Sequence, residues 1–141
     1  MKRGKEVSEL EIEAKKENLH SVLEFLETRL EAAGCPLKLQ MQIAIAVEEI
    51  FINIASYAYQ PGTGTAKIRI EMKDDPARAL ITFIDSGTPY DPLSKKDPDV
   101  TLSAEKRPIG GLGIYMVKKS MDDVVYEYKD DCNVLTLIKC L

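Results

Sequence analysis

Two polar residues, Glu49 and Asn53, lie four positions apart in an otherwise apolar stretch of the chain. In an α-helix this spacing places both side chains on one face. A carboxylate accepts a proton or orients a water molecule, and an amide oxygen is a ligand for a hard cation. A carboxylate in apolar surroundings is unusual without a partner, so the pair indicates either a metal-assisted site or a structural polar pair.

Two glycine-bearing segments follow the acid-amide pair. The first, Asp85-Ser86-Gly87, ends a predicted strand, where a carboxylate can accept a hydrogen bond from an exocyclic amine. Gly87 has no Cβ, so a flat ring could lie close to the backbone. The same three residue types are common turn formers, and an ordinary turn is the alternative interpretation.

The second segment, Gly110-Gly111-Leu112-Gly113, opens a predicted helix. A glycine-rich loop at a helix start offers free N–H groups and a positive dipole end to phosphate. A flexible hinge would use the same glycines. The segment is neither a P-loop nor a dinucleotide-binding fingerprint, because the required lysine and the third spaced glycine do not follow.

The composition suits one domain of an ordinary globular protein. The chain has 141 residues, 45% of them hydrophobic and 30% charged, with 19 basic and 23 acidic residues for a net charge of -4. This balance argues against a nucleic-acid binder. The three cysteines have no CxxC spacing, which predicts neither a zinc site nor disulfides and favours a reducing cytoplasm. Without an apolar leader or an apolar run of about 20 residues, no signal peptide or membrane span is expected.

The apolar periodicity predicts helices and strands in a definite order. Helical spacing covers residues 16–33 and 36–59, and period-2 spacing covers 66–73 and 79–84, with a weaker strand at 7–12. A long charged loop over 91–108 precedes a short helix at 113–121 and a closing hairpin of strands 124–128 and 134–138. These elements predict an α+β fold, a two-layer sandwich with helices on one face of a mostly antiparallel mixed sheet.

With these three segments in this order, the chain resembles the Bergerat-type ATP-binding fold of the GHKL superfamily. The helix with Glu49 and Asn53 is similar to the N box, Asp85-Ser86-Gly87 to the first glycine box and Gly111-Leu112-Gly113 to the second. Within the superfamily the chain looks most like the stand-alone anti-sigma factor serine kinases of bacteria. The resemblance covers almost the whole chain and implies a single histidine-kinase-like ATPase domain over residues 1–141.

The resemblance implies roles for individual residues, with ATP and Mg²⁺ as cofactors. Glu49 would be the catalytic general base and Asn53 the Mg²⁺ ligand. Asp85 would bind the adenine amine, with Gly87 against the ring. Further nucleotide contacts would come from Arg107, Gly110, Gly111, Leu112, Gly113 and Thr136.

The resemblance also has implications for a loop, a strand residue and a helix residue. The loop 91–108 would be the ATP lid, and Arg107 at its end would reach a terminal phosphate, although a solvated lid charge is the alternative. Thr136 would help to hold adenine through a water molecule. Tyr57 stands where many relatives carry histidine, so the end of this helix is expected to contact a substrate differently.

The function implied is that of a cytoplasmic anti-sigma factor with serine/threonine kinase activity. Its substrate would be an anti-sigma factor antagonist of the STAS type, and its other partner a sigma factor or similar regulator. Neither nucleic acid nor membrane would be bound directly, and a homodimer through the sheet is an expectation. One alternative is an ATP-binding partner-switch module with little or no kinase activity. Another is a histidine-kinase catalytic domain acting in trans, although the lone His20 is a poor phosphoacceptor candidate.

Overall fold

The computed structural model describes residues 6–94 and 112–141. Within those residues, five strands and three α-helices form two layers. The helices are α1 (Leu19–Ala32), α2 (Leu37–Asn53) and α3 (Leu112–Ser120), and the strands are β1 (Glu6–Glu13), β2 (Thr65–Lys73), β3 (Arg78–Asp85), β4 (Asp123–Lys129) and β5 (Cys132–Cys140). All the predicted elements are present, and the α+β class is confirmed.

The five strands form one sheet in the order β1-β2-β3-β5-β4. All four pairings among the described strands are antiparallel, so the sheet lacks the mixed character that was expected. Two of the pairs, β2–β3 and β4–β5, are hairpins whose strands are joined by short turns, as antiparallel neighbours allow. Between β4 and β5 the turn residues Asp130 and Asp131 have φ angles of 54° and 61°, as a type I′ hairpin turn requires.

Each strand places alternate residues on the helix side of the sheet. In β2 and β3 every second residue is buried, including Ile68, Ile70, Ile81 and Phe83, as period-2 patterning predicts. These side chains belong to one apolar cluster with buried residues of all three helices. The intervening residues lie on the opposite face of the sheet. Only side chains on the helix side can therefore reach a site between the sheet and the helices.

Helix α2 is the central helix of its layer, because it packs against both α1 and α3. Pro36 precedes it with a φ of -58°, the value that a proline ring fixes. After Asn53 the chain continues as a π-helical turn, Ile54–Ala58. Such turns are rare and occur frequently at functional sites.

The hydropathy of this helix corrects one expectation from the sequence. The segment Leu37–Ala58 has 22 residues and a mean hydropathy of 1.2, so by length and composition it is apolar enough to cross a membrane. Its residues Ile43, Val47 and Phe51 are buried in the apolar cluster. Core packing accounts for these buried residues, whereas Leu37, Met41 and Ile45 on the same helix are exposed.

Replacing a buried α2 residue should destabilise the fold strongly. Phe51 is fully buried, so Phe51→Ala is expected to cost about 3–5 kcal/mol of unfolding free energy through lost burial and a cavity. Met41 lies on the same helix and is 59% exposed, so Met41→Ala should change stability by less than about 0.5 kcal/mol. Urea unfolding followed by circular dichroism measures both, and equal costs would contradict this view of the core.

Candidate active site

A cavity of about 730 Å³ lies between the carboxyl-terminal half of α2, the start of α3 and the strands β3, β4 and β5. Three of the predicted site residues on different elements, Glu49, Asp85 and Gly113, line it together with Asn53. A wider depression of about 800 Å³ surrounds the β2–β3 turn, at the opposite end of β3 from Asp85. The smaller cavity is the candidate site because it collects the acid, amide and glycine residues.

The acid-amide pair behaves as its helical spacing predicts. The Nδ2 of Asn53 donates to the Oε1 of Glu49 over 3.5 Å, and both side chains are half-buried. A Cβ placed on Gly113 would overlap the carboxylate of Glu49. A side chain at this position would force the Glu49 carboxylate to move, because α3 begins directly against it.

Asp85 occupies the last position of β3 and is only 6% exposed. Its Oδ1 accepts hydrogen bonds from the backbone N–H of Gly87 and from the Nδ2 of Asn133, each at 2.9 Å. No group in the described part of the chain donates to its Oδ2. A buried carboxylate with one saturated oxygen is suited to accept a further hydrogen bond from a ligand in the cavity.

Gly87 has a different structural role from the one expected. It does not line the cavity; a Cβ there would overlap the backbone carbonyl of Ala58, whose carbon would lie 2.6 Å away. The adjacent Thr88 N–H donates to the Ala58 oxygen over 2.8 Å. Gly87 thus lets the loop after β3 approach the π-helical turn, and its predicted contact with an adenine ring is not supported by this arrangement.

Tyr59 also holds the loop after β3 in place. Its hydroxyl accepts from the backbone N–H of Ser86 over 2.8 Å and donates to the carbonyl of Thr65 over 2.6 Å. Burial raises the pKa of the Tyr59 phenol above its ordinary value, with a further contribution from the Asp85 charge. The phenol therefore stays protonated at neutral pH and keeps its donor role.

The middle of the cavity is apolar. Phe83 and Leu135 line it from the sheet, while Ile50, Ile54 and Ile114 line it from the helices. Apolar walls with a few polar groups at defined positions are typical of small-molecule sites. The arrangement offers a slot for a flat ring that ends at the Asp85 carboxylate.

Thr136 is a correction to the predicted site. It lies in β5 between Leu135 and Leu137, which face the helices, so its own side chain is on the opposite face of the sheet. There its hydroxyl hydrogen-bonds the Thr82 hydroxyl over 3.2 Å. Thr136 does not line the cavity, and the prediction that it holds adenine through water is wrong.

The remaining predicted residues fall at the edge of the described chain. Leu112 is the first residue of α3 and precedes Gly113, which lines the cavity. Arg107, Gly110 and Gly111 lie outside the described residues, as does all of the predicted lid except residues 91–94. Their predicted roles stay predictions.

Sequence reasoning missed Asn133 and Tyr126, which both line the cavity. Asn133 was assigned to the loop of the closing hairpin, whereas it is the second residue of β5 and pairs directly with Asp85 in β3. The register of the two strands was the signal that could have found it. Tyr126 faces the cavity because it alternates with Val125 and Glu127, which point away.

Comparison with known proteins agrees with this geometry. The model of the histidine kinase-like ATPase domain matches residues 12–139. The chain belongs to this family. The match includes the three helices, the strands β2 to β4, nearly all of β5 and the last two residues of β1, so the family assignment covers every residue that lines the cavity.

Several relatives within the family are protein kinases by name. The serine/threonine-protein kinase BtrW of Bordetella bronchiseptica is 27% identical over 100 residues, which cover 71% of this chain and 70% of the relative. The serine-protein kinase RsbW of Listeria monocytogenes is 29% identical over 107 residues, covering 73% and 68%. RsbW of Bacillus cereus is 30% identical over 95 residues, covering 64% and 58%.

The close approach at Gly87 can be tested by adding one methyl group. Gly87→Ala should cost about 1–3 kcal/mol of stability, because its Cβ would meet fixed backbone at Ala58. It should also weaken ATP binding by displacing the loop that holds Asp85. Gly62→Ala is the matched control, since the nearest atom to its Cβ would be 3.4 Å away. Urea unfolding and calorimetric titration with ATP compare the two variants, and equal behaviour would contradict the packing argument.

Proposed function

We propose that this protein is an ATP-dependent serine/threonine protein kinase that acts as an anti-sigma factor. The observation that carries the proposal is the cavity that collects Glu49, Asn53 and Asp85 beside the start of α3. A general base, an amide ligand and a base-recognising carboxylate are the groups that phosphoryl transfer from ATP to a hydroxyl requires. The family assignment and the kinase names of its relatives support this choice.

Asp85 would recognise the adenine base. Its Oδ2 is the acceptor that no described residue uses, and it lies where the apolar slot ends. The exocyclic amine of adenine would donate to this oxygen, while the ring would lie between the walls formed by Ile54 and Leu135. A carboxylate rejects guanine at this point, because the guanine carbonyl is an acceptor.

The residues present fit a magnesium ion. The Nδ2 of Asn53 faces Glu49, which leaves the Asn53 Oδ1 as an oxygen ligand in the cavity. No group of three or more acidic, cysteine or histidine side chains gathers to hold a metal within residues 6–94 and 112–141. One amide oxygen together with substrate phosphates is the kind of set that suits Mg²⁺, which rarely has an all-protein cage. When bound, Mg²⁺ neutralises the charge that develops on the transferring phosphate.

Glu49 would act as the general base. Its carboxylate takes the proton from the substrate hydroxyl as that oxygen forms a bond to the γ-phosphorus of ATP. The bond from the γ-phosphorus to the β–γ bridging oxygen breaks, and ADP leaves with the electron pair. The positive end of the α3 dipole lies beside this carboxylate and favours negative charge there.

The partners and the compartment complete the proposal. The substrate would be an anti-sigma factor antagonist that presents a serine or threonine hydroxyl, and a sigma factor or similar regulator would be the second partner. Residues 1–141 would form one ATPase domain, with 91–108 as its lid. The three cysteines are all free thiols, which supports a cytoplasmic location.

Neighbouring glutamates provide a matched test of the base. Glu49→Gln should reduce phosphate transfer by about 100-fold or more, because an amide cannot take the proton, while ATP binding changes little. Glu48→Gln makes the same chemical change on an exposed side chain one residue away and should retain wild-type transfer. The measurement is phosphoserine formation on the antagonist with ATP and Mg²⁺, together with calorimetric ATP affinity.

Two outcomes of this experiment would contradict the proposal. If Glu49→Gln and wild type transfer phosphate equally, Glu49 is not the base. If the wild type binds ATP and transfers nothing to any antagonist offered, the protein is an ATP-binding partner switch and the kinase proposal fails.

The role of Asp85 has its own prediction. Asp85→Asn should weaken ATP binding by about tenfold or more, because the variant places an amide donor opposite the adenine amine or loses the charged acceptor. Asp131→Asn is the control, since Asp131 is an exposed turn residue whose φ of 61° asparagine readily adopts. Calorimetric titration with ATP measures both, and an unchanged affinity in Asp85→Asn would rule out base recognition by this carboxylate.

A further inference from the structure

The side chain of Asn133 is the most fully hydrogen-bonded group in the described part of the cavity. It is only 7% exposed, although asparagine is usually a surface residue. Its Nδ2 donates to the Oδ1 of Asp85 over 2.9 Å and to the carbonyl of Thr88 over 3.0 Å. Its Oδ1 accepts from the Tyr126 hydroxyl over 2.5 Å and from the Tyr90 N–H over 3.0 Å.

These four bonds use both donors and both acceptor sites of the amide. They also fix its orientation. Rotating the amide by 180° would place its oxygen against two acceptors, the Asp85 carboxylate and the Thr88 carbonyl. The same rotation would point its NH₂ group at the Tyr90 N–H, so the network allows one orientation.

Asn133 therefore determines how Asp85 presents itself to the cavity. The Oδ1 of Asp85 accepts from the Gly87 N–H and from the Asn133 amide. These two hydrogen bonds leave the Oδ2 of Asp85 directed away from both donors. Without the amide, the carboxylate could rotate about its side-chain bonds and lose the fixed position of the free acceptor. The amide also holds the loop from Thr88 to Tyr90 against β5.

Tyr126 supports the amide from β4. Its hydroxyl donates a hydrogen bond to the Oδ1 of Asn133, and its ring lines the cavity. Burial raises the pKa of the Tyr126 phenol above its ordinary value, and the charges of Asp91 and Asp85 raise it further. The phenol thus keeps its proton at neutral pH and remains a donor.

We infer that Asn133, held by Tyr126, is a positioning residue for purine recognition: it orients Asp85 so that the cavity selects a purine with an exocyclic amine at C6, as in adenine. This inference rests on the proposed ATP site, and it concerns nucleotide selection only. It predicts that loss of the amide weakens binding of ATP much more than binding of a triphosphate whose purine has no exocyclic amine.

The test compares two nucleotides on matched variants. Calorimetry with Mg²⁺ measures the affinity of each variant for ATP and for purine riboside triphosphate, which lacks the amine. Asn133→Ala should lose about tenfold in ATP affinity and less than about threefold in affinity for the analogue. A purely structural role would lower both affinities equally, and that result would overturn the inference, as would an unchanged preference for ATP.

A second pair of variants keeps the test informative if Asn133→Ala fails to fold. Tyr126→Phe removes only the hydroxyl that supports the amide, so the preference for ATP should fall severalfold while the ring remains. Tyr128→Phe removes a hydroxyl from the same strand and the same face, where Tyr128 is 45% exposed, and should leave the preference unchanged. Equal preferences in these two variants would contradict the inference.

The outcome is separable from that of the proposed kinase. A wild-type protein that binds ATP but transfers no phosphate would refute the kinase proposal and leave the nucleotide comparison intact. A wild-type protein that does not prefer ATP over the analogue would refute selection by Asp85 and Asn133, whatever its transfer activity.

Discussion

The buried carboxylate of Asp85 is the constraint on which the rest of the site depends. A carboxylate that is only 6% exposed is costly unless donors satisfy it. Two donors reach its Oδ1, one from the loop after β3 and one from β5, so the site requires both elements to be in register. The sheet and the loop therefore meet at this residue, and the π-helical turn contacts the same loop at Gly87 and Thr88.

Close approaches of backbone to its neighbours hold together the elements around the cavity. Gly113 allows α3 to begin against the Glu49 carboxylate, and Gly87 allows the loop after β3 to reach the Ala58 carbonyl. Tyr59 then ties that loop to the start of β2 with one hydroxyl. These contacts bring together groups that are distant in the chain, so that the apolar helix α2 becomes one wall of a site.

The sequence predicted the elements well, because helical and strand periodicities are local properties. It also predicted Glu49, Asn53, Asp85 and Gly113, which the structure brings together around one cavity. Thr136 was wrong because a shift of one residue in a strand moves a side chain to the other face of the sheet. Asn133 was missed because its importance comes from strand register, and Gly87 was explained differently because its close neighbour, Ala58, is 29 positions away in the chain.

We propose that the cavity binds ATP with its base at Asp85 and its phosphates at the start of α3. A crystal structure with Mg²⁺ and a non-hydrolysable ATP analogue tests it most directly. We expect the adenine amine within hydrogen-bonding distance of the Asp85 Oδ2, the metal on the Asn53 oxygen and the γ-phosphate facing Glu49. A nucleotide bound elsewhere, or one whose base does not contact Asp85, would contradict it.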